Sequence, residues 1–287
     1  MRLSVALLCL LAAALAGCAG PRFDRSASQA DAEFARLSQL ARTAHDQGAL
    51  DQAEVLYRQA HRRAREHDAA GNIGESAYNL AAVLIAGDQP DKAMPLLDEA
   101  ERELSRAGLS PVDVWLVKAR LATDAKRSPE ATRWLDQTDR QGAATVSQRV
   151  MSALLRGQLA HDAGDAVRAG EQLKIAQAQS PISPELRAGI ERLAGSIASL
   201  ERRHSDAAVA FDREALLRRG AGQSRAMAQA LVRAGEAWAD AGDPRVAAER
   251  LYRAARSLLA QGAGSAAAPL INRAMDLAAG GGDAALQ

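Results

Sequence analysis

From Asp31 to about Gln261, apolar residues and alanines recur every three or four positions, with polar residues between them. This spacing places one apolar stripe on each of a series of helices, and no segment alternates in the two-residue period of a strand. Breaks punctuate the series at Gly48, Gly71-Asn72, Gly87-Asp88, Gly108, Gly142, Gly164-Asp165, Gly220-Ala221-Gly222 and Gly242-Asp243. Four pairs, Ser110-Pro111, Ser128-Pro129, Ser183-Pro184 and Asp243-Pro244, read as a cap followed by a first-turn proline. Pro95 fits only if its helix starts near Asp91, where its missing N–H removes no helical bond. Beyond Gly262-Ala263-Gly264, Pro269 to Ala279 can form one further amphipathic helix, and 280–287 reads as a loose tail. Before Asp31, the stretch Pro21 to Ala30 is polar and aperiodic and reads as a tether.

The breaks are themselves periodic. Ala44-His45-Asp46-Gln47-Gly48 returns as Ala160-His161-Asp162-Ala163-Gly164, with a shorter echo at Ala239-Asp240-Ala241-Gly242. Five residues after each of these glycines stands Ala53, Ala169 or Ala247. Ala93, Ala131 and Ala207 fill the gaps at intervals of 38 to 40 residues. Four residues after each alanine comes a large apolar residue: Tyr57, Leu97, Leu135, Leu173, Phe211 and Leu251. Twelve residues before comes a small one: Ala41, Ala81, Ala119, Gly157, Gly195 and Gly235. The pattern describes six helical hairpins. A small residue midway along each first helix admits the second, and the large residue fills the gap towards the next hairpin. A lone hairpin cannot bury its apolar face, so neighbours must stack.

These positions resemble the tetratricopeptide repeat (TPR) family. The clearest unit is the last, with Leu231, Ala234-Gly235, Trp238, Gly242-Asp243, Ala247, Leu251 and Ala254; the first matches at Leu37, Leu40-Ala41, Ala44, Gly48, Ala53, Tyr57 and Ala60. The third departs at Lys118 and Thr138, and the fifth at Glu191 and Glu214. Units longer than the 34-residue standard imply longer helices or linkers. The resemblance implies an all-α, right-handed α-solenoid of about six TPR-like hairpins over 31–261. A capping helix and tail over 262–287 would follow.

The N-terminus is of another kind. One arginine precedes an apolar run from Leu3 to Ala16, too short to span a bilayer, and small residues precede Cys18. Leu15-Ala16-Gly17-Cys18 resembles the lipobox of bacterial lipoproteins. The resemblance implies a signal peptide over 1–17, lipidation (palmitate among the acyl groups) at Cys18, and a tether over 18–30. Ala19, where aspartate retains lipoproteins of enteric bacteria in the inner membrane, favours the outer membrane, facing the periplasm. Cys9 lies inside the signal, so a mature chain would hold no thiol for a disulfide, metal or nucleophile.

Composition adds little chemistry. The formal net charge is +1 and aromatic residues make up 3%, so bulk charge points to no nucleic acid and the few rings argue against sugar stacking. Phosphate-loop, His-Glu-x-x-His and Gly-x-Ser-x-Gly signatures are missing. His61 and His67 do not share a helix face. His45 and His161, each followed by aspartate, invite a His–Asp pairing; adjacent helical residues point in different directions, so a polar helix end is the favoured reading. No enzyme, metal or cofactor is implied.

A partner surface is better supported. In TPR arrays the first helices line a concave face. The register puts Arg42, Glu75, Tyr78, Ile85, Asp113, Leu116, Arg120, Leu154, Gln158, Arg192, Val232 and Glu236 there. Tyr78, Ile85, Leu116 and Leu154 would make an apolar strip; a register one residue off would instead pack them between hairpins. The Lys and Asn of carboxylate-clamp relatives are missing from this face, so it is not expected to capture an acidic peptide C-terminus. The expected function is a lipid-anchored periplasmic scaffold that binds a protein or peptide, as related architectures do in pilus, secretion and cell-wall machines. The other reading is a receptor for a cell-wall fragment or small ligand.

Overall fold

A computed structural model describes residues 31–141 and 145–280, so the signal, Cys18, the tether and the tail beyond Gly280 lie outside the described residues, as does the break at Gly142; Gly280 itself closes the last helix. Within the described residues there are thirteen helices and no strand. They are α1 (Ala32–Asp46), α2 (Leu50–Glu66), α3 (Ala70–Ala86), α4 (Pro90–Arg106), α5 (Val112–Asp124), α6 (Ser128–Arg140), α7 (Val146–Asp162), α8 (Ala166–Gln177), α9 (Pro184–Leu200), α10 (His204–Gly220), α11 (Ser224–Asp240), α12 (Pro244–Ala260) and α13 (Gly264–Gly280). Two compact units contain them, α1–α6 and α7–α13, where the sequence suggested one continuous array. In each unit every helix packs on its neighbour in chain order.

The small and large positions of the register land in the core. All six alanines from Ala53 to Ala247 are fully buried, and so are Leu97, Leu135 and Leu251. The contact made by the large residue differs from expectation. A Cβ added to Gly195 would lie 2.6 Å from the Phe211 ring, and one on Gly235 would lie 2.7 Å from Leu251. In the fifth and sixth hairpins the large residue therefore seats on the small residue of its own hairpin, not in the gap towards the next. In the fourth hairpin Leu193 of α9 presses on Gly157 instead, at 2.5 Å from an added Cβ. Leu173, which the register assigns to that place, is only half-buried.

One turn geometry joins most of the helices. In ten connections the second residue after the helix is left-handed: six are glycine, and Asp68, Asp88, Lys126 and Arg202 are not. The residue after it donates its N–H to a carbonyl five residues back, as in Ala49 to Ala44 (2.9 Å), Arg203 to Ala198 (2.8 Å) and Asp243 to Trp238 (2.9 Å). This is the Schellman closure of a helix end. Two 17-residue helices with their three-residue turns, as in α11 and α12, make up the forty-residue period, so longer helices account for it. The expected breaks at Gly71-Asn72 and Gly220 lie inside α3 and α10, because Asp68 and Gly222 take the left-handed positions.

Capping is partly as expected. Ser183 accepts from the Leu186 N–H and Asp243 from the Val246 N–H, each ahead of a first-turn proline. Ser110 and Ser128 are not caps: Pro111 itself precedes α5, and Ser128 is the first residue of α6. Pro95 and Pro269 both lie inside their helices, as the sixth residue of α4 and of α13. α4 begins at Pro90, so Pro95 forgoes a bond to Asp91, and α13 starts five residues earlier than the sequence suggested. The rest of each helix continues because only one bond near its start is lost.

A non-glycine residue held in the left-handed region costs roughly 1 kcal/mol. Arg202 sits there at φ 59°. Arg202→Gly is expected to stabilise the protein by about 0.5–1 kcal/mol. An unchanged or lower urea midpoint would show that the turn is not strained.

Candidate functional site

The predicted face is partly assembled and partly consumed by packing. Arg42 of α1 reaches Glu75 of α3 at 3.8 Å. Tyr78 of α3 faces Asp113 and Arg120 of α5, and burial, helped by Asp113, pushes its hydroxyl well above the usual tyrosine range. In the second unit Gln158 of α7 donates to Asp162 (2.7 Å) and accepts from Arg192 of α9 (3.4 Å). First helices of neighbouring hairpins therefore share polar side chains, as the register requires.

The apolar strip is not an open groove. Leu116 is 5% exposed and belongs to the interior. Tyr78 and Ile85 are half-buried against the core of Leu80, Leu84 and Leu97. Leu154 packs between two clusters in the second unit, and its Cδ1 lies 2.7 Å from a Cβ added to Gly189 of α9. Burying these residues between helices removes more apolar surface from water than leaving them on a face. What remains outward is polar: Arg120 is exposed, and Arg42 and Gln158 are half-exposed.

The histidines are placed by helix ends and helix contacts. His161 Nδ1 lies 3.2 Å from Asp162 and His45 Nδ1 lies 3.6 Å from Asp46, so the adjacent residues do approach, contrary to the expectation that they diverge. Each aspartate is the last residue of its helix, where the side chain can turn back. His61 is buried among three helices: its Nδ1 meets Ser76 Oγ of α3 (3.1 Å) and its Nε2 meets Glu99 of α4 (3.3 Å). His67 instead faces Asp31 at 3.7 Å, so the two do not converge. Among the described residues no group of three or more His, Cys, Asp or Glu is placed to hold a metal. No helix among them is long and apolar enough to cross a membrane.

Two of the departures from the repeat pattern, Lys118 and Glu214, turn out to be buried charges in ion pairs. Lys118, 2% exposed, reaches Asp98 (2.7 Å) and Glu101 (2.5 Å) of α4 and lies 4.5 Å from the centre of the Trp134 ring of α6. Trp115 Nε1 donates to the same Glu101 at 2.9 Å. In the second unit Glu214, 1% exposed, accepts from Arg233 of α11 at 2.8 Å, with Arg218 at 3.6 Å. Asp212 of α10 takes both Arg250 of α12 (2.7 Å) and Trp238 Nε1 of α11 (3.0 Å). Each pair ties one hairpin to the next. The sequence marks Lys118 and Glu214 as irregular, but their partners lie 17 and 19 residues away and follow no motif.

No protein-family profile and no curated protein matches the chain. Among solved structures, a tetratricopeptide repeat protein from Parabacteroides merdae ATCC 43184 is similar over 86% of this chain and 93% of its own, with 13% identity and a TM-score of 0.49. The TPR2AB domain of yeast Sti1, in a complex with pHSP90, is similar over 87% and 100%, with 11% identity and a TM-score of 0.38.

Two outcomes are expected. Glu214→Ala leaves the half-buried guanidinium groups of Arg218 and Arg233 without their carboxylate and is expected to cost about 1–3 kcal/mol in urea unfolding; a loss below about 0.5 kcal/mol would show the pair to be incidental. Burial holds the His61 pKa below its ordinary value, although Glu99 pulls the other way. The folded state then favours the neutral ring, so its contribution is complete above the unfolded pKa of about 6.5 and is lost as pH falls from there through the lower folded pKa. Stability is expected to fall between pH 7.5 and 5.5, with a shallower fall in His61→Gln; equal slopes would clear His61 of the effect. Small residues against large ones at the hairpin crossings, Schellman turns and a period near forty residues make the described residues a tetratricopeptide-like helical repeat.

Proposed function

We propose that this chain is a lipid-anchored scaffold of the bacterial cell envelope that docks other proteins on its first helices. The observation that carries the docking reading is the sharing of polar side chains between successive first helices, Arg42 with Glu75 and Gln158 with Arg192. A partner lying across them meets several hairpins at once. Catalysis finds little support, because the buried Lys118 and Glu214 and the half-buried Asp212 are engaged in pairs between helices. With the apolar candidates packed away, the docking surface of each unit is polar, with Arg42 and Arg120 as contacts in the first unit and Gln158 in the second.

The anchor reading rests on Leu15-Ala16-Gly17-Cys18. A mature lipoprotein carries more than one acyl chain, and two or more hold a protein stably on a bilayer. Anchoring scaffold and partner to one membrane raises their effective concentration, so modest affinity suffices. The outer membrane, facing the periplasm, is the expected site.

Cys18→Ala is expected to leave an uncut or soluble chain; retention in the membrane fraction after an alkaline wash would overturn the anchor. A photo-crosslinking residue at Arg120, compared with one at Val167 on the second helix α8, tests the docking face in living cells. Cross-linking to a discrete envelope protein from position 120 alone is the expected result, and an equal yield from both positions would overturn it.

A further inference from the structure

The second unit holds a cavity of about 300 Å³ away from the first-helix face. It opens between the second helices α10 and α12, over the start of α11. Ala215, Met227 and Leu231 form its apolar floor, and these belong to a core cluster with Ala254. Leu216 stands on the α10 wall, 56% exposed, although nothing in the hairpin packing requires a leucine there. Around this apolar surface stand three guanidinium groups, Arg219 of α10 and Arg250 and Arg253 of α12.

The charges are not equally engaged. Asp212, the acidic residue of the lining, is taken up by Arg250 and Trp238. Arg250 is also held by Glu249 at 2.5 Å. Arg253 meets Glu249 only at 3.3 Å, in an exposed one-turn pair of the kind that contributes little. Arg219 is exposed and pairs with no carboxylate among the described residues. The cavity therefore presents one free and one loosely held guanidinium beside an apolar floor. A guanidinium binds a carboxylate through two parallel N–H donors, so the arrangement selects an anion of that shape.

We propose that this cavity is a second docking site, for a partner peptide carrying an acidic residue next to a large apolar one. The carboxylate lies between Arg219 and Arg253, and the apolar side chain covers Leu216, Met227 and Leu231. The volume sits at the low end of ligand sites, about 300–1,000 Å³, which suits one or two side chains better than a whole cofactor. The proposal rests on the reading of this chain as a protein-binding scaffold. It concerns another face, so its failure leaves the Arg120 cross-linking result untouched, and the reverse holds too.

Met227 on the floor supplies the probe. The full chain in detergent, labelled with ¹³C at its methionine methyl groups, is titrated with acetyl-Gly-Leu-Glu-Gly-amide, with its Gln analogue and with its Ala-Glu analogue. Hexanoate serves as a small-molecule carboxylate, and Met227→Leu assigns the resonance. The Met227 signal is expected to move saturably with the Leu-Glu peptide while those of Met94 and Met151 stay still. Affinity is expected to fall about tenfold or more for the Gln peptide and in Arg219→Ala, the scale of one charge-assisted hydrogen bond. The Ala-Glu peptide should also bind more weakly. Arg219 is on the surface, so Arg219→Ala keeps the helical circular dichroism of the parent. A Met227 signal that does not move, or moves equally with the Gln peptide, overturns the site. Equal or tighter binding of hexanoate overturns its assignment to a peptide.

Discussion

Two helices of a hairpin can approach only as closely as the bulkiest side chain at their crossing permits. Everything else in this protein depends on how that constraint is met. Gly195 and Gly235 leave room in which Phe211 and Leu251 seat, and any Cβ there would lie inside the van der Waals contact of those side chains. With few aromatic residues available, close approach through alanine and glycine takes the place of large interlocking side chains. The left-handed turns complete the arrangement. They return the chain after three residues, so the next helix starts beside the last and the crossing recurs at a fixed height.

Close-packed small residues bury little apolar area each, and a stack held only by them would have loose joints between hairpins. The buried ions address that weakness. Lys118 with Asp98 and Glu101, Glu214 with Arg233, and Asp212 with Arg250 each join a helix to a different hairpin. An ion pair out of water tolerates little displacement, because either charge left alone carries a large desolvation cost. These pairs set the position of one hairpin on the next more narrowly than methyl contacts can. His61 joins the first two hairpins as well, with one ring nitrogen against Ser76 and the other against Glu99.

The candidate site was less legible than the fold. The register set positions of successive first helices side by side: Arg42 does meet Glu75, and Gln158 does meet Arg192. It could not tell an apolar residue facing solvent from one facing the neighbouring hairpin, because those directions differ by a fraction of a helical turn. Leu116 and Leu154 fell on the inner side of that division. The arginine-rimmed cavity had no counterpart in the sequence. Its residues come from three helices and are spread from Asp212 to Arg253, with no spacing to link them.

The sequence by itself determined the helices, their period, the small and large positions at each crossing, and the lipobox-like segment ahead of them. Those are local or strictly periodic properties, and spacing alone encodes them. Only the tertiary structure decided that Phe211 and Leu251 seat within their own hairpins, that Lys118 and Glu214 have partners, and that Leu216 borders a cavity. Each of these is a contact between residues far apart in the chain. Such contacts depend on the angle and height at which helices meet, which a one-dimensional pattern does not carry.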